Sequence, residues 1–134
     1  MPRKTDSNNP ADWLWMARSE MEMVRLSLER ETSYLACRSK LAEILEKVVK
    51  AELIRLGWPL EKTHDLSRLW ECLEEFDSPL TEAALPICRA LAQVYFTDRY
   101  PGFDLEDPDW PVFRAQVEQV VALLAEVQAR LDAE

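Results

Sequence analysis

From residue 14 onward, the apolar residues of the chain recur at alternating steps of three and four. Leu14, Ala17, Met21, Val24 and Leu28 make the first stripe, the spacing of one helix face. Trp13, Met16 and Met23 widen it, and methionines at this spacing read as core filling rather than as a ligand set. Asn9-Pro10 opens this helix with a proline in its first turn, and Asp12 adds an acid there. A second helix, capped by Thr32 or Ser33, carries Cys37, Leu41, Ile44/Leu45, Val48 and Ala51, with Val49, Leu53 and Leu56 on the adjoining face. Gly57 and then Pro59 end it. Its polar positions hold Arg38, Lys40, Lys47, Lys50 and Arg55 interleaved with Glu43, Glu46 and Glu52. They predict a solvated face with pairs such as Glu43–Lys47 and Glu46–Lys50, each worth about 0.2–0.5 kcal/mol.

Residues 57–64 read as a connection, after which Asp65 caps a short helix with Leu66, Leu69, Trp70, Leu73 and Phe76 on one side. Asp77-Ser78-Pro79 breaks the chain, and Leu80, Ala83/Ala84, Ile87, Leu91, Val94 and Tyr95 trace a fourth helix. Pro86 inside that pattern leaves two readings. The helix starts as late as Thr81, or it starts at Ser78-Pro79 and kinks around Pro86. Residues 98–111, with three prolines, one glycine and five acids, form a loop. Asp109 caps a last helix, with Pro111 in its first turn, whose Phe113, Val117, Val120, Leu124, Val127 and Leu131 alternate steps of four and three. That is close to a 3.5-residue seam against a partner helix, within the chain or in a second subunit. With no strand pattern, the fold class is all-α, an up-and-down bundle of four to five helices with one short crossing helix. Residues 1–8 read as a flexible lead-in and residues 9–134 as a single helical domain.

Composition narrows the chemistry. At 134 residues the chain has the length of one domain. Two glycines exclude a glycine-cradled phosphate loop, and one histidine excludes a multi-histidine metal site. No metal and no cofactor is expected. Cys37, Cys72 and Cys88 form no C-x-x-C pair, and an odd count suits a reduced cytoplasmic protein. The net charge of −9 argues against a dominant electrostatic grip on DNA or RNA. The bases concentrate in residues 1–55, ten against nine acids, so any basic surface lies in the first half. No apolar run approaches the ~20 residues that span a bilayer, and Met1–Pro10 lacks the apolar core of a signal peptide.

Three motifs are more specific than a generic bundle. The second helix ends Leu45-Glu46-Lys47-Val48-Val49-Lys50-Ala51-Glu52-Leu53, the next opens with Thr63-His64-Asp65-Leu66, and the fourth is followed by Arg99-Tyr100-Pro101. In this order the chain resembles the HEPN family, the higher eukaryotes and prokaryotes nucleotide-binding domains, over residues 11–130. The resemblance implies a four- to five-helix bundle, a homodimer and a role near nucleotides or RNA. It also implies pairing with a minimal nucleotidyltransferase protein in toxin–antitoxin systems. Ribonuclease members carry an Arg and a His separated by four to six residues. Here Arg55 precedes His64 by eight intervening residues, and no histidine follows Arg99. Where the family holds a Gln pair ahead of E-K, this chain has Ala42 and Glu43, which adds an acid beside any anionic ligand.

The residues that carry the resemblance are the candidate ligand-binding set: Lys47, Lys50, His64, Asp65, Arg99 and Tyr100. No catalytic residue is assigned, because metal-free RNA cleavage needs a general base and a general acid, and His64 is the only side chain ordinarily titrating near neutrality. His64 and Asp65 also read as plain helix-start residues, and Arg99 as a cation at the negative end of the fourth helix. Three classes follow. They are a non-catalytic module binding a nucleotide or a nucleotidyltransferase partner, a ribonuclease with a displaced site, and a structural dimerisation module using the Phe113–Leu131 seam.

Overall fold

The Asn9 side chain accepts a hydrogen bond from the Ala11 amide at 3.1 Å and starts α1, Pro10–Arg30. The computed structural model describes residues 2–134; Met1, the first residue of the lead-in, lies outside them. Five further elements follow: α2 Tyr34–Arg55, α3 Leu66–Glu75, α4 Thr81–Leu91, α5 Val94–Thr97 and α6 Trp110–Asp132. Among the described residues there is no strand.

Helices α1 and α2 form a long hairpin. Helix α6 packs against both, and α3 and α4 pair across α2. The apolar stripe of α1 is buried as its period requires, from Leu14 through Leu28, and so are Leu41, Ile44, Leu45, Val48, Val49, Ala51 and Leu53 of α2. Gly57 has φ +92°, and the Trp58 amide reaches the Leu53 carbonyl at 2.9 Å while the Gly57 amide reaches Ile54 at 3.0 Å. That is a Schellman closure, which needs the left-handed conformation glycine adopts freely. It ends α2 and sends residues 58–65 back toward the middle of that helix. Asp65 and Asp109 cap α3 and α6 through their side chains, accepting from Ser67 N at 2.9 Å and Val112 N at 3.1 Å.

Four expectations change. Ser33 stands at the start of α2 but does not cap it with its side chain. The tight reversal holds it at φ 58°, far from the extended backbone of a capping residue. The fourth helix runs from Thr81, the later of its two starts, and stops at Leu91, after which Val94–Thr97 is a separate turn. Leu91 and Val94 are both buried across that break, so a spacing of three disguises the turn as a continued helix. The polar face of α2 is only partly solvated. Glu46, Lys50 and Glu52 are buried because α2 is in contact with every other helix, whereas Arg38, Lys40, Glu43, Lys47 and Arg55 are half-buried. Finally, Phe113, Val117, Val120 and Val127 are wholly enclosed inside this one chain, where α6 meets α1, α2 and α4, while Leu124 and Leu131 are half-buried. Its four enclosed positions therefore belong to the core of this chain, while Leu124 and Leu131 keep part of their surface facing outward.

The lead-in folds back on α1. Arg3 pairs with Asp12 at 2.8 Å and lies 4.1 Å over the Trp15 ring, and the Trp13 indole donates to the Ser7 carbonyl at 2.8 Å. No helix among the described residues is long and apolar enough to cross a membrane.

Candidate functional site

On α2 the positions 43, 46, 47 and 50 share one face at helical spacing, so Glu43, Glu46, Lys47 and Lys50 look out together. Trp13 of α1, Lys62 and His64 of the connection, Tyr95 of α5 and Arg99 just beyond it close around them. The result is an open cleft of about 480 Å³.

Its floor is a charge pair in contact with an aromatic stack. Lys50 Nζ is 3.0 Å from Glu46 Oε2, with both side chains less than a tenth exposed, and lies 5.4 Å over the Trp13 ring. The other oxygen of Glu46 holds His64 Nδ1 at 2.9 Å. The His64 ring stacks on Tyr95, with centroids 4.7 Å apart and planes 12° apart. Arg99 lies 4.3 Å over the same tyrosine. It donates from Nε to Ser39 Oγ at 3.0 Å and pairs with Glu43. Lys47 pairs with Glu20 of α1. Lys62 is exposed and has no ion-pair partner among the described residues.

Of the residues singled out in the sequence, Lys47, Lys50, His64 and Arg99 come together here. Asp65 does not join them: it caps α3 and lines a neighbouring cleft of similar volume that shares Lys62, His64 and Tyr95 with the first. Tyr100 is exposed and lines neither cleft. The carboxylate that orients His64 is Glu46, eighteen positions earlier, and not the adjacent Asp65. Of the expected α2 pairs, Glu46–Lys50 forms, whereas Lys47 turns to Glu20 and Glu43 to Lys40 and Arg99. Trp13, Glu20, Lys62 and Tyr95 escaped sequence reasoning. The alternation of Glu and Lys on one face of α2 was the available signal, but their partners come from other helices.

The chemistry follows from these groups. Guanidinium and ammonium groups beside stacked rings suit an anion that also carries a flat apolar ring. The cleft holds one imidazole, that of His64, the single histidine of the sequence. The thiols lie elsewhere: burial pushes the Cys88 thiol up to about 12 and raises that of Cys72, which keeps both un-ionised and unreactive at neutral pH. The HEPN domain profile matches residues 10–130, nearly the whole chain. No curated protein and no solved structure matches it.

Proposed function

The chain belongs to the HEPN domain family, and from that premise we propose that it binds a nucleotide in the α2–α5 cleft without cutting RNA. The observation that carries this reading is the convergence of Lys47, Lys50 and Arg99 with the rings of Trp13, His64 and Tyr95 from separate elements. Phosphate is the partner that Arg's planar fork and the ammonium groups of Lys47 and exposed Lys62 favour, with Lys50 held beneath them by Glu46, and a base can lie against the rings. The test is thermal unfolding of the full chain with ATP, GTP, CTP and UTP. A ligand at 100 times its dissociation constant adds about 2.7 kcal/mol. Arg99→Ala is expected to remove the shift, and no shift with any nucleotide sinks the reading.

A displaced ribonuclease centre is the second reading, favoured by the 2.9 Å His64–Glu46 contact near Arg99. It requires RNA cleavage in metal-free buffer that His64→Ala abolishes. The pairing with a minimal nucleotidyltransferase protein in a cytoplasmic toxin–antitoxin-type system belongs to the first reading, and so does a homodimer. Exposed Trp15, Met16, Met23 and Leu26 on α1, and Tyr100, Phe103 and Leu105 beyond α5, supply apolar surface for such partners. Light scattering at micromolar concentration, with and without the co-expressed neighbour, tests both.

A further inference from the structure

The cations of the cleft are already occupied by the chain's own carboxylates, and they divide into two kinds. Lys50 is committed. It is almost wholly buried, its partner Glu46 is equally so, and among the described residues Glu46 has no other cation except His64 when protonated. Pulling Glu46 away would leave a buried charge uncompensated, which is strongly unfavourable. Lys47 and Arg99 are different, because their carboxylates have a second partner. Lys40 Nζ lies 3.1 Å from Glu20 and 2.7 Å from Glu43, the two acids that neutralise Lys47 and Arg99. Lys40 itself does not line the cleft.

We infer that Lys40 is a holding point for displaced carboxylates: a ligand with two or more phosphate charges takes Lys47 and Arg99 from Glu20 and Glu43, which stay paired with Lys40. The inference rests on the nucleotide reading of the cleft and adds how the site is masked and which ligands unmask it. Arg99 keeps its place when Glu43 leaves, because Ser39 and the Tyr95 ring hold the guanidinium from other directions. The binding group is thus preorganised, and ordering it costs little at the moment of association. Two carboxylates must yield together, so a single phosphate competes poorly and a nucleoside di- or triphosphate well. Exposed Lys62 adds a third cation, one with no ion-pair partner among the described residues.

The experiment is titration calorimetry of ATP, AMP and pyrophosphate against the full wild-type chain and the variants Glu43→Gln, Glu20→Gln and Lys40→Met, with circular dichroism as the check on folding. Each glutamine variant is expected to bind ATP at least fivefold more tightly, and Lys40→Met at least threefold more weakly. The Lys40→Met effect should vanish in the Glu20→Gln/Glu43→Gln background, and Lys40→Arg should restore wild-type affinity; a merely structural lysine gives neither result. Unchanged or weaker ATP binding in folded Glu43→Gln and Glu20→Gln overturns the inference and leaves the nucleotide reading standing. Failure of ATP to bind any variant, with pyrophosphate still tighter on the glutamine variants, overturns the nucleotide reading and upholds the masking. Failure of both ligands overturns both.

Discussion

Helix α2 carries two acid–base clusters one after the other, both built on carboxylates and cations three or four positions apart, and they do opposite things. In the later cluster Glu52 is fully buried and takes Arg55 Nε at 2.7 Å on one oxygen and Ser78 Oγ at 2.6 Å on the other. Arg55 is closed off in turn by Glu134 at 2.7 Å, and its bonds to Glu52 first and Glu134 second push its guanidinium further toward the charged form. That cluster ties the end of α2 to the α3–α4 connection and to the C-terminal residues. In the earlier cluster, Glu20 and Glu43 each serve two cations, one of which, Lys47 or Arg99, lines the cleft, and one acid, Glu46, orients a histidine. Spacing along one helix does not separate a structural pair from a binding one. What separates them is whether the partners from other elements satisfy each charge once or leave it shared beside open space.

The largest effect should come from breaking the closed cluster. Glu52→Ala leaves Arg55 and Ser78 without their buried acceptor and is expected to remove about 3 kcal/mol of stability, read as a fall in the urea midpoint. Lys47→Ala in the open cluster should change the stability by less than about 1 kcal/mol, because the side chain is partly exposed and Glu20 keeps Lys40, while ATP affinity falls. Equal destabilisation by the two variants would erase the distinction.

The smallest effect concerns the rim that Trp13 gives the cleft. Arg3 and the Asp6 amide hold the Asp12 carboxyl below its ordinary value of 3.8. A carboxylate shifted this way contributes stability that is present above its unfolded value and lost as the pH falls through its folded value. The lead-in should therefore stay docked at neutral pH and loosen only under acid conditions, below the ordinary value. Asp12→Asn should mimic this at pH 7, with faster hydrogen exchange at the Asp6 amide, which donates to Asp12 at 2.9 Å.

The bundle was legible because its core obeys local rules. The stripes of α1 and α2, the caps at Asn9, Asp65 and Asp109 and the glycine stop at Gly57 are all short-range features, and each is where the spacing put it. The candidate site was legible by half. Lys47, Lys50, His64 and Arg99 lie in or beside motifs and do meet. Their actual partners were not legible, since the Lys47–Glu20, His64–Glu46 and Arg99–Ser39 contacts bridge 27, 18 and 60 positions. Helical arithmetic reaches only one turn, so it paired Lys47 with Glu43 and treated buried Glu46 and Lys50 as solvated.

The cleft also has walls of unequal stiffness. One wall is α2, packed against every other helix, and moving it would disturb the whole core. The opposite wall is thin: the 57–65 connection that carries His64, and the four-residue α5 whose single buried anchor is Val94. Elements with few buried contacts open at low free energy. Any widening needed to admit a ligand of a different shape therefore falls on these two segments, while the face that holds Lys47 and Lys50 stays put as the fixed jaw.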